Sequence, residues 1–426
     1  MDKNKAEIKI QEYWHMLGPG LTTGAADDDP SGIATYSQAG ASYGYNFLWT
    51  ALLTFPLMAV VQEMCARIGI VTGRGLAGAI RIYYPRWILY LCASLLLVAN
   101  TFNLGADLGI MAKSLQLLIP INFEVLVIAF ALLSLYLQIF TAYRSYARAL
   151  KWLALVLLSY VLTGLIIDIN WAQALQHLVV PSIVFNKQSL FLLTAILGTT
   201  ISPYLFFWQT SQEVEEQIKA GKTTIKQREE NTSLADISRM RFDVWGGMFL
   251  SNLVMFFIIA VCSATLFANG ITDIKDAAQA ALALKPLGGN LAYLLFTLGI
   301  IGTGMLAVPV LAGSSSYAIS ESLGWREGLY HKFNQAYAFY GVITLSMLVG
   351  LFMNFFHLDV IKMLIYSAVL NGLISPFILA VIVLLSSNQK VMKEWVNGSV
   401  IKFFGWLITS VMGLASILTI WYIIHE

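Results

Sequence analysis

The segment Ala25-Ala26-Asp27-Asp28-Asp29-Pro30-Ser31-Gly32 places three carboxylates directly before two helix breakers, inside an otherwise apolar run. A carboxylate in such surroundings is costly to ionise unless a cation, a proton or hydrogen-bond donors accompany it. Pro30 removes a backbone donor and Gly32 admits unusual dihedrals, so a continuous helix cannot pass. The carbonyls just upstream are then free to face a ligand. A second interruption, Gly198-Thr199-Thr200-Ile201-Ser202-Pro203-Tyr204, has the same make-up without the charge. Carboxylate, carbonyl and hydroxyl oxygens together suit hard cations. For Ser31 or Thr200 taken singly, a bond to the preceding turn's carbonyl is the commoner outcome. That account is not open to Asp29, a carboxylate between breakers, and Asp28 either lines the same path or faces an aqueous vestibule. Lys113 and Lys362, the basic residues inside apolar runs, can both reach an interface by extending their stems.

The elements that must position these groups are membrane spans. Of the 426 residues 58% are hydrophobic and 12% charged, against roughly 25% charge in a soluble domain. Mean hydropathy is +0.71, which leaves too little polar surface for a water-soluble globule. The formal charge of +2 gives no reason to expect a nucleic-acid partner. Cys65, Cys92 and Cys262 lie far apart in apolar runs, which argues against a disulfide framework or a zinc site. The opening residues show no cleavable leader pattern. At about 20 residues per crossing, eleven spans are expected, at approximately 16–42, 46–67, 87–118, 122–140, 149–168, 189–212, 243–268, 289–320, 333–354, 360–385 and 401–424. Residues 272–284 read as a short amphipathic connector, and 212–243 as a long solvated loop.

Orientation follows from Lys and Arg. The basic residues gather before span one and after spans two, four, six, eight and ten, as in Arg67, Arg74, Arg81 and Arg86 or Lys219, Lys222, Lys226 and Arg228. That face is expected to be cytoplasmic, with the amino terminus inside and the carboxyl terminus, after an odd number of spans, outside. The two breaks then lie near mid-membrane in helices five spans apart that run in opposite directions. Such a pair is the mark of an inverted five-plus-five repeat with an ion or substrate site between the halves. The expected organisation is one transmembrane transporter domain over 1–426, with repeats at 1–168 and 189–385 and an additional helix at 401–424. Asn371 in span ten faces either the ion path or another helix, and the same two readings hold for Asn100 and Asn103 before Asp107 in span three.

The stretch Asp29-Pro30-Ser31-Gly32, with Ala34-Thr35 and Gln38-Ala39-Gly40-Ala41-Ser42-Tyr43-Gly44-Tyr45 after it, resembles the first helix of the natural resistance-associated macrophage protein (NRAMP) family. The run Arg67-Ile68-Gly69-Ile70-Val71-Thr72-Gly73-Arg74-Gly75-Leu76-Ala77 is similar to that family's second-helix exit. The resemblance spans the chain. It implies an all-α polytopic membrane protein of the LeuT type and inward transport of divalent metals, typically manganese or iron with protons. Its metal site would use the first-helix Asp and Asn and, in helix six, a carbonyl and a methionine of an Ala-x-x-Met-Pro-His pattern. Here the Asp is Asp29, the Asn position is Gly32, the Ala position Thr199, the Met position Ser202 and the His position Tyr204. The third-helix Asp-x-x-Glu reads Asp107-Leu108-Gly109-Ile110, and 336–354 contains none of the family's ninth-helix arginines.

These departures remove the soft ligand and most of the proton-carrying groups, so the chain looks most similar to the Nramp-related magnesium transporter branch. The expected site is Asp29, Thr199, Ser202 and Gly32, with Asp28, Ser31, Thr200, Tyr204, Asp107 and Asn371 along the path or around it. The expected cargo is partly hydrated Mg2+, and Mn2+, moved down its electrochemical gradient without a cofactor, an obligate protein partner or catalysis. A prokaryotic inner membrane is the expected location. The alternatives are a proton-coupled Mn2+ or Fe2+ importer using Asp27, Asp28 and Asp107, then an organic-solute transporter, then a non-transporting sensor.

Overall fold

The computed structural model describes residues 18–141, 158–182, 186–230, 232–356 and 358–425, which contain helices and turns and no strand. The first break separates α1 (Pro19–Asp27) from α2 (Pro30–Tyr43). Each begins with proline, whose missing N–H falls where a helix start has no acceptor for it. α3 (Leu48–Thr72) ends at Gly73, whose φ of 60° is the left-handed turn that glycine tolerates. The chain continues through α4 (Leu76–Tyr83), α5 (Arg86–Leu115), α6 (Phe123–Phe140), α7 (Leu158–Ile166) and α8 (Trp171–Val179).

The second break lies between α9 (Lys187–Thr200) and α10 (Pro203–Lys219). Beyond it come α11 (Ile225–Glu230), α12 (Leu234–Thr265), α13 (Ala292–Leu323), α14 (Tyr337–Met353), α15 (Val360–Ser386) and α16 (Ser399–His425). Among the described residues nine helical runs are long and apolar enough to cross a membrane, α2 and α3 being joined in one of them. The expectation for residues 149–157 lies outside the described residues.

Two expectations need correction. Residues 212–243 are not an open solvated loop, because α10 runs on to Lys219, α11 intervenes and α12 starts at Leu234. The Ser233 side chain and Asp236 form a reciprocal N-terminal cap that sets that start. Arg228 is buried there, donating to the carbonyls of Gly73, Lys222 and Thr223. The expected connector over 272–284 is helical only from Ala277, after the Asp276 cap.

Both broken helices are packed backbone to backbone. α1 lies on α12, where a Cβ at Gly24 would collide with the Gly247 carbonyl. α9 lies on α15, with Gly198 against Ala368 and Gly372. Close approach of this kind needs small residues in both partners. α16 rests on the second half through Thr194–Thr419 at 2.7 Å and Ser416 to the Gly372 carbonyl at 3.1 Å. Its outer side presents Phe403, Leu414, Ile417 and Trp421, as a lipid-facing helix requires.

Candidate functional site

Asp29 is the N-cap of α2 and is 1% exposed. Its Oδ1 accepts from the Gly32 backbone N–H at 2.7 Å and the Ser31 hydroxyl at 2.6 Å. Its Oδ2 accepts from Asn103 Nδ2 at 2.9 Å and the Tyr204 hydroxyl at 3.3 Å. The carboxylate is therefore not bare between its breakers, because the cap supplies two donors and helices α5 and α10 one each. Asn103 is itself aligned by Ser367 of α15, whose hydroxyl donates to Asn103 Oδ1 at 2.6 Å. Asn100 turns away and bonds Leu311, Ser314 and Ser315 of α13.

The two breaks touch. Ser31 Oγ lies 3.4 Å from Thr199 Oγ1, and the Tyr204 hydroxyl donates to the Ala26 carbonyl at 3.0 Å. A Cβ at Gly32 would press on Thr199 Oγ1 at 3.2 Å and on the Asp27 carbonyl and the Tyr36 ring at 3.3 Å. Gly32 is thus what lets the halves meet, and its amide is spent on Asp29. The Ser202 hydroxyl turns back onto its own helix end, donating to the carbonyls of Gly198 at 2.6 Å and Thr199 at 2.7 Å. Thr200 back-bonds to the Ile196 carbonyl at 2.7 Å and meets the Tyr36 hydroxyl at 3.0 Å. Ser375 of α15 donates to the Ile201 carbonyl at 2.9 Å, steadying the second break from the side.

The other acids lie close by. The Ser251 hydroxyl approaches Asp27 Oδ2 at 2.5 Å and Asp28 Oδ1 at 3.3 Å, while Asp27 Oδ1 has no hydrogen-bond partner. Asp107 is fully buried with neither carboxylate oxygen bonded, within electrostatic range of Asp29. Asn371 is equally buried with both amide atoms unbonded. Among the described residues none of these carboxylates has an ion pair with Lys or Arg, and no three His, Cys, Asp or Glu side chains converge as a metal cage. A cation held here would be completed by carbonyls, hydroxyls and water.

Asp29, Gly32, Ser31, Thr199, Thr200 and Tyr204 are brought together across the breaks. Ser202 is adjacent but faces its own backbone. Tyr36, Ser251, Ser367 and Ser375 were not anticipated. Two of these carry a sequence signal: Tyr36 is seven residues beyond Asp29 on the same helix face, and Ser251-Asn252 is a polar pair inside the apolar run 244–261.

The first broken helix is tied to its neighbours at both ends. On the face carrying the basic loops, the Asp243 carboxylate accepts from the backbone of Gly18 at 2.7 Å, Gly20 at 2.6 Å and Leu21 at 3.2 Å, pinning the start of α1 to α12. On the other face, Gln38 and Ser42 of α2 donate to the Thr272 carbonyl at 3.2 and 2.8 Å, and Ile274 N–H returns a bond to Gln38 at 3.0 Å.

A buried polar chamber between two broken, oppositely directed helices defines a transporter fold of the LeuT type, and solved structures agree. A manganese transporter of Eremococcus coleocola in complex with an aromatic bis-isothiourea compound superposes with a TM-score of 0.77 at 17% identity, covering 95% of this chain and 85% of that one. Mhp1, a nucleobase-cation-symport-1 family transporter, gives 0.58 at 15% identity over 95% and 90% of the two chains. The family profile described as natural resistance-associated macrophage protein-like matches residues 20–422, so the chain belongs to the NRAMP family, a family of transporters rather than enzymes. A relative named divalent metal cation transporter MntH, from Klebsiella pneumoniae, is 27% identical over 410 residues, covering 93% of this chain and 91% of that one.

Proposed function

We propose that this chain is a divalent-cation transporter in which Asp29 is the direct anionic ligand and the cargo is partly hydrated Mg2+, with Mn2+ also carried. The face bearing the basic loops is cytoplasmic, the membrane is a prokaryotic inner membrane, and residues 1–168 and 189–385 act as the two repeats. The divalent part of the reading is supported by family membership and by the name of the K. pneumoniae relative.

The observation that carries the hydrated-ion reading is the partner set of Asp29, which consists wholly of N–H and O–H donors. A bare cation would displace donors from a carboxylate that already uses both oxygens. An ion coordinated by Asp29 Oδ2 displaces Tyr204 and Asn103 there while the cap bonds to Oδ1 stay, and the waters that Mg2+ retains can donate to neighbouring oxygens such as the Ala26 carbonyl and the Thr199 hydroxyl. Ser202 stands at the position where the family places a thioether, so that soft ligand for late transition metals is missing.

Among the described residues no histidine lies beside Asp29, so no described group of ordinary near-neutral pKa is available there as a proton carrier. Uptake is then driven by membrane potential alone. The second reading, proton-coupled Mn2+ or Fe2+ import, draws on Asp107 and Asp27 Oδ1, buried acids with no partner that could carry protons. Proteoliposomes loaded with a pH dye separate the two. Mg2+ and Mn2+ uptake with constant luminal pH and weak competition by Cd2+ supports the first, and acidification in step with metal entry supports the second.

A further inference from the structure

One face of α10 runs from the Asp29 chamber to the basic loops through Tyr204, Trp208, Ser211 and Glu215, whose spacings of four, three and four residues align them along the helix. Tyr204 touches Asp29, and Glu215 lies three turns, about 16 Å, farther on. α13 lies alongside with Gly313, Tyr317 and Glu321. The Trp208 ring seats on Gly313, where a Cβ would come within 2.8 Å of it, and meets the Tyr317 ring edge-on at 6.3 Å.

Beyond this aromatic contact a cavity of about 450 Å³ opens toward the basic loops. Its inner wall is Ser211, Glu215, Tyr317 and Glu321, all buried, and its rim includes the exposed Arg81, Trp325 and Tyr330. Glu215 Oε1 accepts from the Tyr317 hydroxyl at 2.6 Å and the Leu329 N–H at 2.7 Å, which ties α10 to α13. Ser211, 3% exposed, lines the same cavity with its hydroxyl oxygen unbonded. Three arginines share the lining but have other acceptors: Arg81 bonds the Glu321 carbonyl, Arg228 three backbone carbonyls, and Arg74 pairs with Glu229 at 3.6 Å.

We infer that this cavity is the release end of the cation route, where Glu215 and Ser211 form a second oxygen station that takes the divalent ion after Asp29, with Trp208 on Gly313 as the plug between the two. The inference rests on the transport function proposed above. A dication leaving a buried carboxylate is stabilised by further anionic oxygen on its way to water. Glu215 provides it once α10 parts from α13 and the Tyr317 bond opens.

The test uses the full chain in vesicles, with Ser211→Cys as reporter against native cysteines that are all buried. An impermeant maleimide is expected to label it from the basic face only, and saturating Mn2+ to slow labelling about fivefold. Tyr317→Phe, which keeps the carboxylate and removes its tie, should speed labelling. Glu215→Gln should remove the Mn2+ protection and cut Mn2+ uptake about tenfold while equilibrium Mn2+ binding at Asp29 stays within about twofold. Uptake at the wild-type rate in Glu215→Gln, or no Mn2+ protection of Ser211→Cys with Glu215 intact, overturns the inference. The second result decides even if Glu215→Gln does not fold. Absence of any Mn2+ binding by the unmodified chain would instead overturn the proposed function.

Discussion

In the proposed mechanism Asp29 combines two roles that usually compete, capping a helix and binding the transported ion. Its Oδ1 is committed to the cap through Ser31 and Gly32, so the proposal assigns ion exchange to Oδ2, which has the longer bond to Tyr204. Asp29→Asn keeps the shape and removes the charge. Mg2+ uptake by that variant is expected to fall about a hundredfold with little change in thermal stability, read from flux and melting in the same preparation. Selectivity belongs to the same scale. Restoring a thioether with Ser202→Met is expected to strengthen Cd2+ competition about tenfold and weaken Mg2+ transport, and unchanged competition would remove ligand softness from the account. The residue types around Asp29 are legible in the sequence, but their partners are not. Asn100 and Asn103 differ by less than one helical turn, yet one packs against α13 and the other holds Asp29. The choice depends on how α5 is rotated against its neighbours, which span spacing alone does not fix.

At the scale of elements, the half-helix α1 is held by a few contacts that can be broken singly. Asp243 receives three backbone N–H groups from its first turn, and Asp243→Ala is expected to cost about 0.5–2 kcal/mol, as loss of a helix cap does, seen as a lower melting temperature. The same change should make a cysteine at Thr22 easier to label from the basic face. Gly24→Val should also lower the melting temperature, because the added side chain must part α1 from the Gly247 carbonyl, with about 1–3 kcal/mol typical of overpacking. The breaks were readable because proline and glycine act locally. The extents of α10 and α12 were not, because hydropathy sees apolar length, whereas these helices continue into polar sequence as far as Lys219 and back to the Ser233 cap. Glu63 shows the same limit: nothing in its sequence neighbourhood names its partners, yet it is buried and receives Arg67, Arg241 and the Trp245 indole.

For the molecule as a whole, the arrangement of two broken helices inside a scaffold was visible in one sequence because each break carries its own chemistry and the spacing of five spans relates them. The ties at both ends of the first broken helix were not visible, since Asp243 with Gly18 and Gln38 with Thr272 join positions more than two hundred residues apart. An interior-negative potential supplies about 2.3 kcal/mol per charge per 100 mV, hence about 4.6 kcal/mol for a dication, which is ample for concentrative uptake without protons. Uptake should therefore rise with a potassium-diffusion potential imposed on proteoliposomes and stay unchanged when a pH gradient is imposed instead. The most direct measurement is Mg2+ flux under such a potential, compared between the unmodified chain and Asp29→Asn reconstituted to equal density. The account predicts potential-driven flux in the first and background flux in the second, and equal flux in both would contradict it.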